Sequence, residues 1–133
     1  MSCLFIAIQK LLYKELHNAN ISDLRKVLCN YMEQKQDSKL SNDSLKLWLE
    51  NISLDKYNEI NIKRYIEEMR KDYTWGGAPE IALVSKIFKV IIIVHYGGNK
   101  IAEFNNCDDK VYKKLYLQWT GGHYEPIKSE NIK

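Results

Sequence analysis

Cysteine is scarce in this chain, and none of it is paired in sequence: the three residues are Cys3, Cys29 and Cys107, with no Cys-x-x-Cys step. A zinc site of the usual thiolate spacing is therefore unsupported, and an odd count speaks against a disulfide framework. An excess of one charge is lacking too. The net charge is +3 and the 20 lysines and arginines are spread along the chain, so they read as solvated helix faces and not as a nucleic-acid footprint. The β-branched run Val90 to Val94 is far too short to cross a bilayer. Met1 to Leu12 is apolar but is interrupted by Gln9 and Lys10 and has no basic lead-in, which argues against a secretory signal. Repeats, low-complexity tracts and linkers are absent. The expectation is a soluble cytoplasmic protein with no membrane or nucleic-acid partner, a monomer whose thiols stay reduced. The abundance of Lys, Asn and Ile fits an AT-rich genome, such as that of a virus or an intracellular microbe.

What is present is enough for one core: 133 residues, 45% of them hydrophobic. Leu4, Ile8, Leu11, Leu12 and Leu16 recur at helical spacing from Cys3 to about Leu16, where Asn18-Ala19-Asn20 ends the pattern. Ser22 reads as the N-cap of a second helix, which carries Leu24, Val27, Leu28, Tyr31 and Met32 on one face. A polar stretch from Gln34 to Lys39 precedes a third helix around Asp43 to Asn51, and a fourth spans roughly Asn61 to Lys71. Pro79 and Glu80 mark the start of a fifth, running to about Ile87. Then the period changes. Lys89 to His95 and Lys100 to Phe104 flank Gly97-Gly98-Asn99 as a hairpin, and Leu115 to Trp119 and His123 to Ile127 supply two more strands. The pattern predicts a single α+β domain over residues 1–128, its helices packed around a small, mainly antiparallel sheet. Residues 129–133 form a disordered tail.

Two segments carry chemistry. Cys3 opens the first helix, where free N–H groups and the helix dipole favour the nucleophilic thiolate. For an isolated cysteine the default is a small packed residue. His123-Tyr124-Glu125-Pro126 changes that weighing. Along a strand His123 and Glu125 face one way and Tyr124 the other, so Glu125 can hold one imidazole nitrogen while the other faces a thiol. Pro126 favours the extended backbone that this requires at Glu125. A chance His-x-Glu pair on a surface strand remains the plain alternative. His17 reads as a cation at a helix end, His95 as structural, and Cys29 and Cys107 as packing or exposed residues. The tyrosines fall at core spacing and form no stacking platform for bases.

With those residues in view the chain resembles the ovarian tumour (OTU) family of papain-like cysteine proteases and deubiquitinases. Ser2-Cys3-Leu4-Phe5 is similar to the end of the family's Asp-Gly-Ser/Asn-Cys-Leu-Phe block, and Leu24-Arg25 to a family Leu-Arg. Trp75-Gly76-Gly77-x-x-Glu80 resembles the family's Trp-Gly-Gly-x-x-Glu, and His123-Tyr124-Glu125 its closing His-Tyr-Asp/Asn. The resemblance implies a hydrolase of the thiol protease class. Cys3 is then the nucleophile, His123 the general base and Glu125 the residue that orients it. Ser2 and Cys3 form part of the backbone oxyanion hole, and Trp75, Gly76, Gly77 and Glu80 a structural motif. It implies ubiquitin or a ubiquitin-like modifier as partner, and neither cofactor nor metal. Glu125 departs from the usual Asp or Asn, and the family's Asp-Gly does not precede Ser2. The expectation is a shortened oxyanion loop, each donor of which is worth about 2.7–4 kcal/mol. Two other readings stay open: an OTU-like module that binds ubiquitin with weak or no catalysis, and a viral polyprotein protease.

Overall fold

Three of the helices begin where a short polar side chain accepts a backbone N–H. In the computed structural model, which describes residues 3–12, 20–106, 111 and 113–127, α1 is Cys3–Leu11 and buries Leu4, Phe5, Ala7 and Ile8. The second helix, α2 (Ile21–Gln34), is capped by Asn20, whose side-chain oxygen accepts the Asp23 N–H at 2.9 Å. Ser22, the expected cap, lies inside the first turn, because Asn20 already has the extended backbone that a cap needs. Ser44 caps α3 (Leu45–Tyr57), which continues past Asn51 until Asn58 takes a left-handed conformation with φ 60°. Asn61 caps α4 (Ile62–Met69), burying Tyr65, Ile66 and Met69. The fifth helix, α5 (Ala78–Phe88), has Pro in its first turn and ends at Lys89, again left-handed. Between α2 and α3 the chain forms a short hairpin, β1 (Lys39–Leu40) with β2 (Asp43–Ser44), that no alternation pattern announces.

The main sheet contains β3 (Val90–Tyr96), β4 (Asn99–Phe104), β5 (Lys113–Trp119) and β6 (Tyr124–Ile127), in the order β4-β3-β5-β6. The hairpin β3–β4 and the outer pair β5–β6 are antiparallel, but the central pair β3–β5 is parallel. The sheet is therefore mixed. The chain goes out on β3, returns on β4 and comes back on the other side of β3, so β5 must run in the direction of β3. This explains the unbroken apolar run: Val90 to Val94 are all buried, as befits a strand flanked on both sides. One core joins Leu4, Phe5 and Ile8 of α1 and Leu24, Leu28 and Met32 of α2 to Ile92 and Leu117 of the sheet. This is the expected α+β domain. Its consequence for function is that α1 packs against β6, bringing the first and last described segments together.

Candidate active site

Cys3 is the first residue of α1 and is partly exposed. Leu4 and Phe5, both buried, fix the turn that follows it. Across from it, burial raises the Tyr124 hydroxyl above its ordinary range, and the charges of Cys3 and Glu80 add to that effect.

His123 is exposed and sits one residue ahead of β6, not on the strand as the alternation predicts. The reason is local. Its N–H donates to the Thr120 hydroxyl at 3.2 Å and its carbonyl accepts the Thr120 N–H at 2.9 Å, so both backbone groups close a turn instead of joining β5. Gly121, at φ +97°, makes that turn possible. The imidazole lies beside the Trp75 indole, ring centres 6.1 Å apart and tilted by 41°. Glu125 is exposed on β6 opposite Gln118 of β5. Half-buried Tyr124 separates the exposed His123 and Glu125. Among the described residues, no hydrogen bond joins the His123 ring to Cys3 or to Glu125. Ser2, His17 and Cys107 lie outside the described residues.

The loop from Arg70 to Gly77 links these parts. A Cβ on Gly76 would stand 2.9 Å from Leu4 Cδ2 and 2.9 Å from Phe5 Cε2, so the loop backbone lies directly on the first turn of α1. Glu80, fully buried, accepts the Gly77 N–H and the Tyr65 hydroxyl, each at 2.7 Å. Burial raises its carboxyl above the ordinary range against the opposing effect of those two bonds. Trp75, expected only as part of a structural motif, is the residue that touches the histidine. Arg25, part of the Leu24-Arg25 pair that resembles a family Leu-Arg, has no site role that the sequence announces. Its signal was a cation on the apolar stripe between Leu24 and Leu28.

The other candidates fall elsewhere. Burial pushes the Cys29 thiol up to about 11, unfit for a nucleophile at neutral pH. His95 packs edge-on against Tyr116, ring centres 6.0 Å apart. An open pocket of about 450 Å³ between α3 and the start of α5, lined by Trp48, Ile52, Asp55 and Pro79 among others, holds none of the site residues. Among the described residues no group of His, Cys, Asp and Glu is placed to hold a metal, and no helix is long and apolar enough to cross a membrane.

The model of the OTU-like cysteine protease family matches residues 2–124, a span that includes Cys3 and His123. The chain belongs to that family. It is 30% identical over 133 residues to the ubiquitin thioesterase OTU1 of Saccharomyces cerevisiae, covering 99% of this chain and 38% of that protein. Its likeness to the ubiquitin thioesterase OTU1 of Rattus norvegicus is 36% over 75 residues, covering 56% of this chain and 20% of that one. The chain thus spans well under half the length of these relatives. Among solved structures it superposes on an OTU domain in complex with ubiquitin with a TM-score of 0.68 at 25% identity, over 94% of this chain and 62% of that one. It shares its fold with the viral OTU domain protease of Dera Ghazi Khan virus at a TM-score of 0.57 and 19% identity, over 95% of this chain and 75% of that one. The resemblance drawn from four short OTU motifs therefore extends over the whole domain.

Proposed function

We propose that this OTU domain is a cysteine isopeptidase that removes ubiquitin, or a ubiquitin-like modifier, from lysine side chains. One observation carries the reading: the helix that opens at Cys3 packs against β6, the strand that follows His123. In the proposed reaction the Cys3 thiolate attacks the carbonyl carbon of the modifier's C-terminal glycine. His123 takes the thiol proton and delivers it to the departing lysine amine. Water, deprotonated by His123, then attacks the thioester and returns Cys3 as the leaving thiol. Glu125 is assigned to orient the imidazole, and the backbone N–H of Cys3 to hold the oxyanion. Ubiquitin as substrate is supported by the relatives' activity as ubiquitin thioesterases and by the ubiquitin held in the related complex. The need for a reduced thiol supports a cytosolic place for the proposed activity.

A second reading, a module that binds ubiquitin without cleaving it, draws on the exposed Glu125, whose carboxylate makes no hydrogen bond to the imidazole. Ubiquitin carrying a thiol-reactive C-terminal group separates the two. The isopeptidase reading expects a covalent adduct on the peptide containing Cys3, and hydrolysis of ubiquitin–lysine conjugates. Binding with no adduct would favour the second reading, and neither binding nor adduct would remove both.

A further inference from the structure

The loop of residues 70–77 rests on the two residues that follow Cys3 and lies beside the His123 ring, and it makes little core of its own. Tyr73 and Trp75 within it are more than half exposed. Two buried side chains from other elements hold it. Arg25 of α2, 2% exposed, donates through Nη1 to the Met69 carbonyl at 2.7 Å, and through Nη2 to the carbonyls of Asp72 at 3.1 Å and Thr74 at 2.9 Å. The same guanidinium lies over the Phe5 ring, 4.2 Å from its centre, so it grips the loop from the turn that follows Cys3. At the loop's far end Glu80 holds the Gly77 N–H and is itself held by the Tyr65 hydroxyl. Between these two anchors, Gly76 rests on Leu4 and Phe5 and Trp75 rests on His123.

We propose that Arg25 and Glu80 are positioning residues that fix the loop of residues 70–77 as a bridge setting the Cys3 helix and the His123 ring in register. The proposal rests on the assignment of Cys3 and His123. A planar guanidinium suits the task because its fork reaches several carbonyls at once, whereas a lysine ammonium is a point donor on a flexible stem. Burying a charge is costly unless its donors are satisfied, so this arginine is an expensive way to close a loop if closure alone were needed. Removing either anchor frees Trp75 from the imidazole and Gly76 from the first turn of α1. Small displacements of reacting groups are enough to lower turnover steeply while leaving substrate binding intact.

The test uses Arg25→Lys, Glu80→Ala and Glu80→Gln in the full chain, at a temperature where circular dichroism shows each to be folded. Three quantities are read: kcat and KM on a ubiquitin–lysine conjugate, the rate at which iodoacetamide alkylates the Cys3 peptide, and indole emission against pH. The emission change due to Trp75 is isolated by subtracting the titration of Trp75→Phe, since a protonated imidazole quenches an adjacent indole. Arg25→Lys and Glu80→Ala should lower kcat about tenfold with KM within about twofold, slow Cys3 alkylation and abolish the Trp75 titration. Glu80→Gln keeps an oxygen for the Gly77 N–H and should restore all three. If Arg25→Lys does not fold, Tyr65→Phe removes only the hydroxyl that steadies Glu80 and should move the same readouts in the same direction. A folded variant with lowered thermal stability but unchanged kcat, alkylation and Trp75 titration overturns the proposal. If the native protein cleaves no conjugate, the isopeptidase reading fails, yet alkylation and the Trp75 titration still decide the positioning role.

Discussion

At the scale of single residues, burial separates the cysteines. Cys3 is partly exposed at a helix start, while Cys29 is buried with its thiol pushed up to about 11. Cys3→Ala is expected to abolish conjugate cleavage. Cys29→Ala should retain most of it and cost on the order of 1 kcal/mol of stability through the small cavity it leaves. Peptide mass after iodoacetamide at pH 8 should find label at Cys3 and none at Cys29. The histidine and its proposed orienter are both exposed and differ in role instead. In the proposed mechanism His123 moves the proton, and Glu125, exposed on β6, only steadies the ring. Removing the base should cost roughly 100-fold or more in kcat, and Glu125→Ala clearly less. Equal losses in two folded variants would mean that the roles are misassigned.

At the scale of elements, the Gly76-Gly77 pair makes two different demands. A methyl at Gly76 would meet Leu4 and Phe5 at 2.9 Å, whereas at Gly77 nothing lies within 4 Å. Gly76→Ala is therefore expected to destabilise the domain by about 1–3 kcal/mol, the usual cost of overpacking, and to lower turnover by pushing the loop off α1. Gly77→Ala, at the cap of α5, should cost no more than about 1 kcal/mol. Urea midpoints of the two variants check the contrast. The element that reads most clearly in the sequence is α5, with Pro79 and Glu80 at its start. The loop before it reads only as a turn, because its contacts are with Leu4, Phe5, Arg25 and His123, all far away in the chain.

At the scale of the whole molecule, one buried carboxyl sets part of the response to pH. Glu80 is raised from its ordinary 4.5 by burial, so the folded state holds that proton more tightly than the unfolded chain does. Its stabilising contribution is complete below 4.5 and is lost as pH rises through the raised folded value. Glu68, held by the Tyr57 hydroxyl and then by Arg64, and Glu103, held by Lys100, are lowered instead, so their contributions are lost on acidification below 4.5. Glu80→Gln should remove the fall in stability above 4.5 and leave the acid limb intact. Thermal unfolding from pH 3 to 8 reads the difference. A Glu80→Gln curve parallel to that of the native protein throughout would mean that Glu80 is ionised equally in both states.

The sequence by itself determined what depends on neighbours along the chain. Apolar spacing places five helices, β-branched runs and glycine turns place four strands, and the ordered OTU motifs nominate Cys3 and His123. Tertiary structure decided the rest, because it depends on residues far apart in sequence. The parallel β3–β5 pair follows from β4 turning back along β3, which no local pattern records. His123 leaves the strand because Thr120 takes its backbone groups. Arg25 becomes a buried clamp only when residues 69–74, more than 40 positions away, fold over it. Chain-local chemistry supplies the reacting groups, and long-range packing brings together the helix of one and the turn of the other.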